Sequence, residues 1–346
     1  MLVPIILLAV GFILLIKGGD WFVDGASGIA RRFNLPEILI GATVVSIGTT
    51  LPEVMVSAGA AMGGSGSIAY GNAIGSIICN TALIAALTIA IKPAAAARKS
   101  LVLPVAFFFS AAAIYSVTAY ALGTFSRVIG IILLSTFVLY MVMTVLRMKK
   151  TSLALEGVGD ADTAEAVEAQ LEAHTGEDHT VESAEAGTKD SLLKDIILLV
   201  VGAALIAVGA DLLVDNAIII AEKLGVSEKV IGLTIVALGT SLPELVTAIT
   251  SLVKGHGSLS LGNIIGANLF NLVLVSGAAV TISPFELPVS GLIGGINSSL
   301  VLDLPVMLLV MLILTVPTMI KEKLSRWQGI VLLVIYAAFC TLQFTI

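Results

Sequence analysis

Two short segments of this chain combine residue types that bind hard cations. Gly41–Glu53 reads GATVVSIGTTLPE and Gly232–Glu244 reads GLTIVALGTSLPE, eight identities in thirteen positions at an offset of 191 residues. Each copy ends in a carboxylate, Glu53 or Glu244, preceded by the hydroxyls of Thr49 and Thr50 or of Thr240 and Ser241. Proline has no N–H and its ring crowds the carbonyl four residues back, so Pro52 frees the Gly48 carbonyl and Pro243 that of Gly239. Carboxylate, hydroxyl and carbonyl oxygens together suit calcium or sodium and not a soft transition metal.

A second pair of segments carries the same offset. Ser67–Asn80 reads SIAYGNAIGSIICN and Ser258–Asn271 reads SLSLGNIIGANLFN. The glycines at 71, 75, 262 and 266 make small faces for close helix approach. Ser76 and Asn80 are four apart and share a helix face, whereas Asn271 follows Ala267 by four and so lacks the matching hydroxyl. Asn80 and Asn271 each offer an amide oxygen. Each residue type also has a plainer use. Glycine and proline kink helices, hydroxyls bond back to their own helix, and asparagines bridge helices. The two carboxylates are harder to assign to structure alone, because burying charge in a membrane is costly.

The elements that must position these groups are membrane helices. The 346 residues are 58% hydrophobic and 12% charged, with a mean hydropathy of +1.07, and soluble domains carry about 25% charged residues. Apolar runs long enough to cross the hydrocarbon core recur along the chain, and helices satisfy their own backbone there. The spacing predicts an all-α membrane protein with ten spans, near 2–28, 36–62, 67–91, 101–122, 127–147, 192–221, 227–253, 258–283, 295–319 and 327–345. Spans two and seven are expected to be discontinuous at the centre. The first run has no basic segment before it, so it reads as a retained helix. Cys79 and Cys340 lie in separate apolar stretches and suggest neither a disulfide framework nor a zinc site.

The chain divides into residues 1–150, a linker 151–191 and residues 192–346. The net charge of −6 hides an uneven distribution. Residues 151–190 hold eleven acids and one base, which leaves the rest at +4. The linker reads as a solvated tether, since its acids lack a calcium-loop pattern. With an outside N-terminus, fourteen Lys and Arg fall in inside loops and three in outside loops. The positive-inside rule then places both termini outside and the linker in the cytoplasm of a cell-membrane protein. Asp20 and Asp24 also match Asp211 and Asp215 at offset 191, near span ends where capping or pairing is the expected role. Five spans per half, an odd number, invert the second half relative to the first. That is the repeat of secondary transporters, with a site at the interface near the midplane.

At these residues the chain resembles the sodium/calcium exchanger family, within the cation/calcium antiporter superfamily. GTTLPE and GTSLPE, each followed by a GNxxG segment, look like that family's two alpha repeats, and the likeness covers nearly the whole chain. It implies that Glu53 and Glu244 share the calcium ion, with oxygens from Thr49 and Thr240, backbone carbonyls included. It further implies that sodium uses Thr50, Ser241, Ser76 and the carbonyls of Ser46 and Ala237, with Asn80 and Asn271 flanking the centre. Potassium-dependent relatives carry Asp where this chain has Asn271, which argues against potassium dependence. Ala267 replaces the usual serine and removes one sodium ligand.

The resulting expectation is an antiporter that exchanges sodium for calcium by alternating access. The rivals are a calcium/proton antiporter on the same scaffold and a cation channel. An intramembrane hydrolase is remote, because His174, His179 and His256 lie in the linker or a loop and no nucleophile–base pair appears in the spans. No cofactor, nucleic acid or obligate protein partner is implied. The partners are calcium, sodium and the lipid bilayer.

Overall fold

A computed structural model describes residues 2–33, 35–156, 189–224, 239–289 and 291–345. Its helices are α1 (Leu2–Arg32), α2 (Glu37–Met62), α3 (Gly66–Ile91), α4 (Arg98–Leu122), α5 (Arg127–Glu156), α6 (Lys189–Lys223), α7 (Leu242–Val253), α8 (Gly257–Ile282), α9 (Ser299–Lys321) and α10 (Arg326–Thr345). Among the described residues, nine helices are long and apolar enough to cross a membrane. The tenth, α7, is the described part of the seventh expected span. The rest of that span and most of the linker lie outside the described residues.

Helix boundaries follow local chemistry. Gly64, Gly123 and Gly255 take positive φ in the turns after α2, α4 and α7, a conformation that costs glycine little. The ninth span starts later than expected. Residues 292–297 form a tight hairpin, with β3 (Leu292–Ile293) paired to β4 (Ile296–Asn297). Its two loop residues, Gly294 and Gly295, have φ of 60° and 83°. A two-residue hairpin loop favours this geometry, and Gly-Gly supplies it. A second short ribbon pairs β1 (Thr124–Phe125) with β2 (Phe285–Glu286) and ties the α4–α5 loop to the α8–α9 loop.

The repeat-related helices α1 and α6 pack antiparallel through glycines. A Cβ on Gly11 would meet Gly209, one on Gly18 would meet Gly202 and Ile206, and one on Gly25 would meet Asp195 and Leu199. Sequence numbers rise along one helix as they fall along the other, as an inverted pair requires. Salt bridges fasten the ends. Lys254, in the α7–α8 turn, lies 2.7 Å from Asp24 and 3.5 Å from Asp20 of α1, and His256 lies 2.7 Å from Glu37 at the start of α2.

Where the backbone ladder is broken, side chains fill in. Pro317 leaves the Ile313 carbonyl without its usual donor. The buried Gln328 of α10 donates to that carbonyl at 2.9 Å, to the Leu314 carbonyl and to the Thr318 hydroxyl. Gly41–Val45 forms a π turn within α2. The carbonyl of Gly41 accepts from the Ser46 hydroxyl at 2.7 Å, and that of Ala42 from the Tyr140 hydroxyl at 2.9 Å.

Candidate cation site

The two copies of the GTxLPE motif meet at the centre of the bundle on different backbones. In α2 the helix continues through Pro52, and its irregularity is the π turn at Gly41–Val45 instead of a gap. In the second copy Thr240 and Ser241 form a turn, α7 begins at Leu242, and Pro243 occupies the first helical turn. A missing N–H costs nothing there, because the first four donors of a helix have no partner within it. One pocket is lined by Gly48, Thr49 and Pro52 of the first copy and Pro243 of the second, with Phe22 and Ala203 beside them.

Both carboxylates are fully buried. Glu53 and Glu244 are 0% exposed, and they are near enough for their like charges to act on each other. Among the described residues neither lies in a salt bridge, and none offers a hydrogen bond to any of their four carboxylate oxygens. Buried polar groups are nearly always paired, and a carboxylate taken out of water demands compensation. An electronegative centre of this kind fits a cation.

The neighbouring atoms share this property. The Thr50 and Ser241 hydroxyls and the amide groups of Asn80 and Asn271 are buried without hydrogen-bond partners among the described residues. Thr49, Ser46 and Ser76 are also buried, and Thr240 is half-buried. Ser46 and Thr49 differ from the rest, because the Ser46 hydroxyl has the carbonyls of Gly41 and Asn263 as acceptors for its one proton and the Thr49 hydroxyl has Asn263 Oδ1. Ala237 lies outside the described residues. Among the described residues no group of three His, Cys, Asp or Glu side chains converges. An ion at this centre would therefore have two carboxylates and otherwise neutral oxygens.

Elements from both halves bring these residues together. Asn80 opens a π turn, Asn80–Ala85, in α3, and Asn271 opens another, Asn271–Val275, in α8. The first turn packs against α7 and the second against α2, so each asparagine belongs to a turn that meets the other half's carboxylate helix. π turns recur at functional sites, and these two fall at matching positions of the repeat.

Several functional-site neighbours escaped the sequence reading. Asn263 accepts from the Thr49 hydroxyl through Oδ1 at 3.2 Å. Asn72 donates to the Glu53 carbonyl at 3.2 Å and to the Ser57 hydroxyl at 2.9 Å. Asn268 donates to the Thr81 hydroxyl at 2.7 Å. The repeated Asn72 and Asn263 were visible as part of GNxxG, but nothing in the spacing told which atoms they would meet. Asp303 carries no part of either repeated motif. It is largely buried in the first turn of α9 and accepts from Gln343 at 2.6 Å. Cys79 and Cys340 are both free thiols.

A multi-pass helical bundle with an antiparallel pair of repeat-related helices and two sequestered carboxylates that lack a hydrogen-bond partner among the described residues fits a membrane cation transporter. Known proteins agree. The family model described as Sodium/calcium exchanger protein matches residues 3–146 and 194–345. The putative antiporter CaxA of Alkalimonas amylolytica is 33% identical over the full length of both chains. The sodium/calcium exchanger MaX1 of Methanosarcina acetivorans is 30% identical over 99% of each. Among solved structures, the sodium-calcium exchanger NCX_Mj superposes with a TM-score of 0.74 at 31% identity, covering 97% of each chain. The chain belongs to the sodium/calcium exchanger family. It is a multi-pass membrane protein of a cation/calcium antiporter class, a transporter and not an enzyme.

Proposed function

We propose that this protein exchanges sodium for calcium by alternating access, without a requirement for potassium. The observation that carries the reading is the pair of buried carboxylates, Glu53 and Glu244, whose four oxygens have no hydrogen-bond partner among the described residues. Thr49 and Thr240 join them around calcium. Thr50, Ser241, Ser76 and the carbonyls of Ser46 and Ala237 serve sodium, with Asn80 and Asn271 flanking. An amide at Asn271 adds no third negative charge to the centre, which supports independence from potassium.

The charge count gives a reason for coupling. The ionised empty pair carries −2, and enclosing that charge in a low dielectric is expensive. One calcium ion neutralises it, and so do two sodium ions. A neutral, occupied site is cheap to occlude and turn to the opposite face, whereas an empty one is not, so exchange is favoured over leak. A third sodium would make transport electrogenic. The distribution of basic residues supports an orientation with both termini outside and the linker in the cytoplasm. No cofactor enters this scheme, and its partners are the two ions and the surrounding lipid.

The test is calcium uptake into proteoliposomes under separate sodium, potassium and proton gradients. A sodium gradient alone should drive uptake, and Glu53→Gln or Glu244→Gln should reduce it to near background. Uptake driven by a proton gradient without sodium would convert the reading to a calcium/proton antiporter. Unchanged uptake in either glutamine variant would remove the site assignment.

A further inference from the structure

We propose that Asn263 is a positioning residue for cation binding: its side-chain oxygen takes the proton of the Thr49 hydroxyl and so leaves that hydroxyl's lone pairs to the ion. This rests on the reading of Thr49 as an ion ligand. Asn263 sits on α8, in the second half, and Thr49 sits on α2, in the first.

A hydroxyl has one proton and two lone pairs. To bind a cation it must direct its oxygen at the ion and its proton elsewhere. Three acceptors surround the Thr49 hydroxyl. Asn263 Oδ1 lies at 3.2 Å, the Ser46 carbonyl lies at 3.5 Å, and the Glu244 carboxylate is nearby but outside hydrogen-bond distance. If the proton went to Glu244, hydroxyl and carboxylate would satisfy each other, and both would be partly withdrawn from the ion. The Ser46 carbonyl is at the limit of hydrogen-bond distance. Asn263 offers a neutral acceptor within range that competes with neither ion ligand.

The backbone that carries this asparagine is anchored, and the residue is 0% exposed. Its backbone carbonyl accepts from the Ser46 hydroxyl at 3.0 Å. Its backbone nitrogen lies beside Gly41, where a Cβ would come within 2.8 Å of it. The glycine at 41 thus lets α2 approach the segment that carries the acceptor. The repeat mate does different work. Asn72 donates to the Glu53 carbonyl and to Ser57, both within its own half. Symmetry in sequence therefore conceals a division of labour, with one asparagine orienting a side chain across the interface and the other bracing a backbone.

The test is a double-mutant cycle on calcium KM and Vmax in proteoliposomes, using Asn263→Leu, Thr49→Ala and the combination. Leucine keeps the shape of asparagine and removes the acceptor. Asn263→Leu should raise the calcium KM about tenfold, the scale of one lost interaction with a charged group, and change Vmax less than about twofold. Thr49→Ala should raise KM by a similar factor. The combination should be no worse than Thr49→Ala alone, because the asparagine acts through that hydroxyl. A purely structural role would lower activity by the same factor in both backgrounds. Asn72→Leu is the control, and its effect should multiply with that of Thr49→Ala. Multiplying effects of Asn263→Leu and Thr49→Ala, or an unchanged KM in Asn263→Leu, would overturn the proposal. An unchanged KM in Thr49→Ala would overturn the proposal through its premise. The two glutamate variants would still stand apart as the test of the site. If Asn263→Leu does not fold, Asn263→Ala carries the same comparison.

Discussion

Two glycines at matching positions of the repeat should respond to alanine with opposite signs. Gly262 of α8 faces the backbone of α2, where a Cβ would sit against the Ile38 carbonyl oxygen and 2.9 Å from both its carbon and its Cα. These are main-chain atoms inside a helix, and they yield only if the two helices separate. Overpacking of this kind costs ~1–3 kcal/mol, and a rigid backbone neighbour places Gly262→Ala at the upper end. Gly71 of α3 is exposed, and among the described residues nothing lies within 4 Å of its ideal Cβ. Alanine there removes the helix penalty of glycine, a gain of ~0.5–1 kcal/mol. The two variants should therefore differ by roughly 3–4 kcal/mol, which corresponds to a Tm gap on the order of 6–16 °C for a chain of this size. Thermal unfolding of the purified protein in one detergent measures it, with both variants run beside the parent. A Gly71→Ala variant that loses as much as Gly262→Ala would refute the reasoning, and so would a Gly262→Ala variant that unfolds with the parent.

Two further substitutions probe contacts that hold the bundle. Gln328→Leu should cost ~1–3 kcal/mol, because it strands the Ile313 carbonyl that Pro317 has freed. The same change in a Pro317→Ala background should cost measurably less, since alanine restores the helix donor, and equal Tm losses in the two backgrounds would contradict this. Lys254→Met should lower stability by ~1 kcal/mol or less, the scale of partly exposed ion pairs, and the loss should shrink in about 1 M salt as screening sets in. A loss that is insensitive to salt would point to packing instead of charge.

The placement of the spans and the meeting of Glu53 with Glu244 were legible because both rest on patterns that a membrane enforces. Apolar length sets the helices, and a carboxylate in each copy of a repeat marks the centre. The start of α9 was less legible, although Gly294-Gly295 is a hairpin signal and could have been read as one. The π turns left no trace of composition. Asn80 and Asn271 have φ and ψ near −57° and −40°, and −55° and −39°, values any helical residue adopts. No residue type is filtered by such a conformation, so no sequence bias announces it. The different fates of Pro52 and Pro243 were equally hidden, because identical motifs allow a proline either within a helix or in its first turn. The bond from Thr49 to Asn263 depends on how α2 and α8 are juxtaposed, which spacing within one helix cannot encode.

The π turn at Asn80–Ala85 also makes α3 unusually intolerant of indels. A π turn accommodates one residue more than the α-helix around it, so the segment Ala86–Ile91 is rotated by about 100° from the phase it would otherwise hold. In that phase the Ala86–Ala90 stretch lies directly against Gly329 of α10, where even a Cβ would come within 2.8 Å of backbone atoms. Deleting a single residue from the turn would leave an unbroken, better-paired helix whose last two turns face the wrong neighbour. An alignment gap placed there would thus remove no loop and yet uncouple α3 from α10.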